Sequence, residues 1–255
     1  MQIHISPNPD GLSIAAADWM VEYINKTLQQ QQTFSFVLSG GSTPQKLYTI
    51  LSGGEYKNKI DWQRIHIFFG DERFVPFDDE RNNAKMAFDT LLSYVAVKKE
   101  NIHIIQTENI RAEESAMRYE NEIRNYFLQS SNPNKNQSQT SNFKPQTSFD
   151  LVLLGMGDDG HTLSLFPGQT AIIFEKEKCC VSLWLPSQKM YRITLTAPVV
   201  NGAKAIAFLV SGKIKSATLH AVLNGEKNIS LYPSQIINPL NGQLHWFVDN
   251  DAMKK

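Results

Sequence analysis

Cysteine is scarce. The 255-residue chain has two, Cys179 and Cys180, and they are adjacent. Neighbouring cysteines cannot clamp a loop, so a fold stapled by disulfides is excluded. Cys and His do not cluster at metal-ligand spacing, and no metal site is expected. Long apolar runs are lacking as well. The longest, residues 205–210, has six residues, where a membrane-spanning helix needs about 20. Neither sign of charge is in excess: 25 Lys and Arg balance 25 Asp and Glu. The balance removes any overall attraction to nucleic acid or an anionic membrane, though not a local cationic pocket for one small anion. The opening MQIHISPNPDG has neither the basic start nor the apolar block of a secretory signal, and a cytoplasmic, reduced setting is expected.

What is present is ordinary globular composition, 42% hydrophobic and 20% charged. A chain of this length buries most of its apolar surface without staples. Ile3 and Ile5 mark a first strand. Residues 34–38 (FSFVL), 65–69 (IHIFF), 102–105 (IHII) and 149–154 (FDLVLL) read as strands, with further candidates near 180–185, 191–196, 204–210 and 244–248. Between them the spacing predicts helices. Ile14, Ala17, Val21, Ile24 and Leu28 share one helical face, as do Ala116, Tyr119, Ile123 and Phe127. Other helices are expected from Pro44 onward, over 83–93 and around 214–223. Thr43 would cap the first of these, with Pro44 at its first position. The alternation predicts an α/β fold, a largely parallel sheet with helices on both faces. Residues 129–148 break the pattern, with fifteen Ser, Asn, Gln or Thr among twenty. They are expected to be a polar insertion in a single domain covering 1–255, because the strand–helix pattern resumes behind them.

Parallel sheets bind ligands at the carboxyl ends of their strands. Three polar, glycine-containing loops lie there, after Leu38, Phe69 and Leu154. In the first, Gly40 and Gly41 let backbone N–H groups approach an anion, Ser42 and Thr43 add hydroxyl donors, and the following helix adds its dipole. No Gly-Lys-Ser/Thr ends it, so it is not a Walker loop. The second, Gly70-Asp71-Glu72-Arg73, sets a carboxylate and a guanidinium two residues apart. The guanidinium is a planar fork suited to phosphate, and a surface ion pair is the competing reading. The third, 155–160 (GMGDDG), matches the dinucleotide pattern G-x-G-x-x-G, with Glu175 near the spacing of a ribose contact. Two features argue against that match. Asp158 and Asp159 would set negative charge against a pyrophosphate, and Pro167 leaves little room for the long helix that should follow. His161 closes this loop. An imidazole, which ordinarily titrates near neutrality, is a candidate general base at a strand's carboxyl end. His66, His103 and His220 lie inside strand or helix patterns and read as structural. Arg192 begins an apolar strand. Lys215 sits near a helix start, an unfavourable end for a cation unless an anion is nearby.

Together these segments resemble the 6-phosphogluconolactonase family. The match is carried by VLSGGSTPQKLY (37–48), FFGDERFVP (68–76), NNAKMA (82–87), LLGMGDDGHTLSLFPG (153–168), YRITLTAPVVNGAKAIAFLVSGKIKSATL (191–219) and LHWFVDNDA (244–252). The resemblance implies a Rossmann-like sandwich of the glucosamine-6-phosphate deaminase and ribose-5-phosphate isomerase type. It implies hydrolysis of 6-phospho-D-glucono-1,5-lactone to 6-phospho-D-gluconate in the oxidative pentose phosphate pathway, a reaction that needs no metal or redox cofactor. His161 becomes the base on water and Asp71 a second catalytic candidate. Substrate and phosphate contacts fall to Gly40, Gly41, Ser42, Thr43, Arg73, Arg192 and Lys215, the three cations unranked. Amides within 155–160 are expected as oxyanion donors. The sister deaminases are the rival reading. They carry Asp-Glu-Tyr where this chain has Asp71-Glu72-Arg73, and a different run after the histidine, so both differences favour the lactonase. A sugar-phosphate sensor without turnover is the non-enzymatic alternative, and the presence of both His161 and Asp71 argues against it. Leu163, Asn82 and Ser234 depart from the family pattern.

Overall fold

Short runs of branched and aromatic residues favour strands, and a run that is apolar throughout needs both of its faces covered. In the computed structural model, which describes residues 1–131 and 147–254, that requirement shapes the whole chain. In order come β1 (Gln2–Ser6), α1 (Pro9–Leu28), β2 (Phe34–Leu38), α2 (Ser42–Ser52), β3 (Ile65–Phe69), β4 (Asp71–Arg73), α3 (Asn83–Ala87), α4 (Ala112–Ser131) and β5 (Leu151–Gly155). Then follow α5 (Thr170–Ile173), β6 (Cys180–Leu185), β7 (Met190–Leu195), α6 (Ala197–Asn201), β8 (Ala205–Val210), α7 (Ser216–Asn224), β9 (Gln243–Asp249) and α8 (Asn250–Met253). Six strands form one sheet in the order β1-β9-β8-β5-β2-β3, and every pairing in it is parallel. Every residue of β2 and β8 is buried. Each fully buried Val, Leu, Ile or Phe in such strands contributes about 1.5–3 kcal/mol over leaving it exposed. Helices flank the sheet, as the alternation predicts.

The strand order places the crevice. From β2 the chain moves outward to β3, whereas from β5 it moves the other way to β8 and β9. The loops after the neighbouring strands β2 and β5 therefore diverge and leave a gap at their carboxyl ends. A second sheet, β4-β7-β6, is antiparallel. Gly70 joins it to the first: its N–H donates to Leu38 O at 2.9 Å, and its carbonyl accepts from Leu195 N at 2.8 Å.

Several local expectations need correction. Residues 102–105 do not form a strand; a single parallel bridge joins Ile102 to Ile67. Ile104 is exposed there, so the run has no second apolar face to bury. Ile14 is also exposed, because Leu12, Ala16, Ala17, Met20, Ile24 and Leu28 form the buried stripe of α1 and Ile14 falls between its turns. Thr43 is not the cap of α2. Gly41, at φ 107°, holds that position and lets the helix begin earlier, with Pro44 inside its first turn. The charged stretch after Phe69 hides a strand, β4, too short to show a period. Strands β6 and β7 belong to the antiparallel sheet and not to the parallel one. Of the insertion expected at 129–148, residues 132–146 lie outside the described residues, while 129–131 form the end of α4. Among the described residues, no helix is long and apolar enough to cross a membrane.

Candidate active site

The three loops after β2, β3 and β5 meet, as their positions in the sheet require. They enclose a cavity of about 250 Å³ lined by Gly40, Gly41, Ser42, Thr43, Asp71, Arg73, His161, Arg192 and Lys215, among others. Every residue put forward from the sequence as catalytic or as a substrate and phosphate contact is therefore on one wall or another of a single cavity.

His161 stands on the tight turn after β5. Gly157 N donates to His161 O at 2.8 Å, and Gly160 N to Gly157 O at 3.0 Å. These two amides are spent inside the turn and are not oxyanion donors. Gly157 has to be glycine, since a Cβ there would lie 2.1 Å from His161 Nδ1. The same Nδ1 meets Asp159 Oδ1 at 2.5 Å, and Asp159 also accepts from the His161 N–H at 3.1 Å. Burial pushes Asp159 up, but the hydrogen bond and charge of His161 outweigh it and hold the carboxyl below its ordinary value. A carboxylate on Nδ1 fixes the tautomer with its proton there and leaves Nε2 as the acceptor. In the sequence Asp158 and Asp159 are two carboxylates just before His161; the place of Asp159 two residues before the histidine on a turn is the signal for this contact. Phe166 packs on the imidazole with ring centroids 4.3 Å apart. Ser234, one of the departures from the family pattern, donates through Oγ to Gly160 O at 2.8 Å and ties down the turn.

The opposite wall comes from the second sheet. Side chains alternate along a strand, so Asp71 and Arg73 face the cavity and Glu72 turns away. Cross-strand register sets Arg73 opposite Arg192 and Asp71 opposite Thr194. Asp71 is buried. Its Oδ2 accepts from Ser164 Oγ at 2.6 Å and lies 4.0 Å from Arg192 Nη1. Arg192 also donates to Gln188 Oε1 at 2.5 Å. Ser164 lies within the 153–168 motif and Gln188 within none, and in neither case does the local sequence announce the contact, which follows from tertiary register.

Like charges directly opposite on paired strands are destabilising. Here the Nε atoms of Arg73 and Arg192 are in addition buried without a partner. An unsatisfied buried donor costs about 1–3 kcal/mol. Burial lowers the pKa of Arg192, with Asp71 opposing and Arg73 reinforcing the effect. Burial likewise lowers that of Lys215, against the pull of Asp158. Lys215 Nζ reaches across to Met156 O at 2.6 Å. The first turn of α2 has no side-chain cap, so its N–H groups and dipole face the same cavity. Cations that burial destabilises, orphaned guanidinium donors and an open helix N-terminus all call for an anion. Among the described residues, no group of three or more His, Cys, Asp or Glu is placed to hold a metal ion.

The 155–160 turn does not act as a dinucleotide loop. Behind Gly160 the chain makes a turn closed by a Thr162–Leu165 bridge and then the four-residue α5, not a long helix.

A parallel α/β fold with an anion-seeking cavity at its switch point and a carboxylate-held histidine on one wall is the arrangement of an anion-binding protein equipped for acid–base chemistry. Comparison with known proteins gives the family. The family model for glucosamine-6-phosphate isomerases/6-phosphogluconolactonase matches residues 7–246. The 6-phosphogluconolactonase of Synechocystis sp. is 34% identical over 229 residues, 90% of this chain and 87% of that protein. The solved 6-phosphogluconolactonase of Thermotoga maritima is similar at 27% identity with a TM-score of 0.79, covering 98% of this chain and 99% of that one. A monomeric glucosamine-6-phosphate deaminase shares the fold at 19% identity and a TM-score of 0.78. The chain belongs to the glucosamine-6-phosphate isomerase/6-phosphogluconolactonase family.

Proposed function

We propose that the protein hydrolyses 6-phospho-D-glucono-1,5-lactone to 6-phospho-D-gluconate, a step of the oxidative pentose phosphate pathway. One observation carries this reading: the same cavity sets the His161–Asp159 pair against the partly unsatisfied arginines Arg73 and Arg192. A phosphate held at the cationic side leaves the lactone ring toward His161. Nε2 accepts a proton from water as the water oxygen attacks the lactone carbonyl. Asp159 stabilises the imidazolium that forms. The imidazolium then returns the proton to the ring oxygen as the carbon–oxygen bond breaks. Asp71, held by Ser164 and lying near Arg192, orients that guanidinium and a substrate hydroxyl. Gly40, Gly41, Ser42 and Thr43 offer backbone and hydroxyl donors, and Arg73, Arg192 and Lys215 supply positive charge to the phosphate.

The reading is tested by lactone disappearance. Fresh lactone, generated by glucose-6-phosphate dehydrogenase, is followed with and without the protein. Acceleration over the spontaneous rate is expected. No acceleration rejects the enzyme, and ammonia release from glucosamine 6-phosphate would select the deaminase.

A further inference from the structure

Glu72 has no part in the chemistry above. It lies on β4 between two residues that line the cavity and does not line it itself. It is 1% exposed, and its carboxylate meets peptide N–H groups where a buried acid ordinarily takes a cation. Oε1 accepts from Arg73 N at 2.8 Å and from Asn83 N at 2.7 Å; Oε2 accepts from Ala84 N at 2.8 Å. Arg73 ends β4, and Asn83 and Ala84 begin α3. One carboxylate thus joins the two ends of the intervening loop. A carboxylate, with two acceptor oxygens and no donor, is suited to taking three N–H groups at once.

The anchored residues matter to the cavity. Asn83 passes the constraint on: its Nδ2 donates to Asp71 O at 2.9 Å. Its Oδ1 lies where a Cβ on Gly40 would fall, 2.0 Å away, so Asn83 fills the space beside the 40–43 loop. Arg73, for its part, is steadied by a 2.8 Å bond from Nη1 to Arg81 O, inside the loop that Glu72 closes.

We infer that Glu72 is a positioning residue, a clasp on the loop between β4 and α3 that sets Arg73 and Asn83 for binding the phosphorylated end of the substrate. Burial pushes its carboxyl up to about 7, against the three N–H bonds that favour the ionised form, so the clasp is held at some expense to the fold. The inference rests on the phosphate reading of Arg73 given above.

Kinetics of Glu72→Gln and Glu72→Ala on the phosphorylated lactone and on gluconolactone test it. Glutamine keeps an oxygen toward Arg73 and Asn83 but sets an NH₂ against the Ala84 N–H. Its KM for the phosphorylated lactone should rise several-fold, and that of Glu72→Ala on the order of 10–100-fold, the scale of a small misplacement in a site. kcat should stay within about threefold, because His161 and Asp159 stand on a different loop. kcat/KM for gluconolactone should move little. If the alanine variant does not fold, the glutamine variant decides. A folded Glu72→Gln with wild-type KM, or with equal losses on both substrates, overturns the inference. Failure of the functional reading looks different: wild-type protein would not accelerate hydrolysis. Calorimetric binding of 6-phosphogluconate to wild type and Glu72→Gln then reads the clasp directly, and equal affinities overturn it.

Discussion

The two ends of the parallel sheet carry the same kinds of polar side chain and treat them in opposite ways. At the amino end, Asp150 is buried and fully engaged. It accepts from Ser35 N at 2.7 Å, Ser35 Oγ at 2.9 Å and Lys204 Nζ at 2.7 Å. Arg64 there spends its donors on carbonyls at the end of α1 and in the turn after it, with bonds to Leu28, Gln31 and Gln32 of 2.8, 2.6 and 2.7 Å. At the carboxyl end, Arg73 and Arg192 face each other with buried Nε atoms unpartnered. Of these residues, the two at the amino end have their partners within the chain, and the two arginines beside the cavity keep a donor open; Trp246 Nε1, in the middle of β9, is a third buried donor without a partner. Burial and residue type do not distinguish the two ends; satisfaction does. Unmet donors on a built wall mark where something outside the chain belongs.

The contrast breaks most sharply at His161. His161→Asn keeps a hydrogen-bonding group of similar size but no base at neutral pH, so turnover should fall roughly 10²–10⁴-fold. Melting temperature and calorimetric affinity for 6-phosphogluconate should stay near wild type. Near-normal turnover in a folded variant would remove His161 from the mechanism. The cations come next. Arg73→Ala, Arg192→Ala and Lys215→Ala should each lose about 1.5–3 kcal/mol in kcat/KM on the phosphorylated lactone and far less on gluconolactone. Equal losses on both substrates would assign that residue to the ring or to folding.

The sequence shows some of this asymmetry and hides the rest, for physical reasons. Gly40, Gly41, Ser42, Thr43 and His161 are legible because local motifs follow strong strands, and a strand's carboxyl end is where a parallel sheet binds. Asp71 and Arg73 share a wall because residues two apart on a strand share a face, yet β4 is three residues long and leaves no period to read. That Arg192 stands opposite Arg73 is a matter of cross-strand register, which no local pattern encodes. Ser164, Gln188 and Asn83 enter through contacts across the fold. Thr43 suggests a cap in the sequence and is not one, because Gly41 reaches a positive φ, a freedom that residue preferences for capping do not weigh. Residues 102–105 have the composition of a strand and lack only a partner on their outer side.

The amino end offers the converse experiment. Asp150→Ala strands the Ser35 N–H and removes the Lys204 contact. It should cost about 1–3 kcal/mol of unfolding free energy, read by denaturant titration, with kcat/KM on the phosphorylated lactone close to wild type. A large loss of activity at unchanged stability would show that the two ends are coupled, and the contrast between them would fail.

The smallest effect concerns histidines away from the cavity, on the two edges of the sheet. His4 Nε2 meets His245 Nδ1 at 3.1 Å, and His66 Nδ1 meets His103 Nε2 at 3.2 Å. In each pair one ring donates and the other accepts, so both cannot carry a second proton without losing the bond. Burial, then His103 and Lys98, pushes His66 down to about 4. Burial, then His4 and the terminal amine, pushes His245 down to about 4. An unfolded histidine titrates near 6.5. Between those values the unfolded chain binds more protons than the native one, so the stability these groups provide is whole above about pH 6.5 and drains away as the pH falls toward 4. His66 is half-buried and His245 buried, and the loss by pH 5 is on the order of 1 kcal/mol per pair, or roughly 2–4 °C in Tm. Glu72 works with the opposite sign, since its raised pKa makes the native state bind the extra proton below about 7. The test is therefore a difference. His66→Gln and His245→Gln keep a hydrogen bond but cannot titrate, and each should lose less Tm than wild type between about pH 7.5 and pH 5. Equal slopes for wild type and both glutamine variants would show that the edge pairs contribute nothing to acid sensitivity.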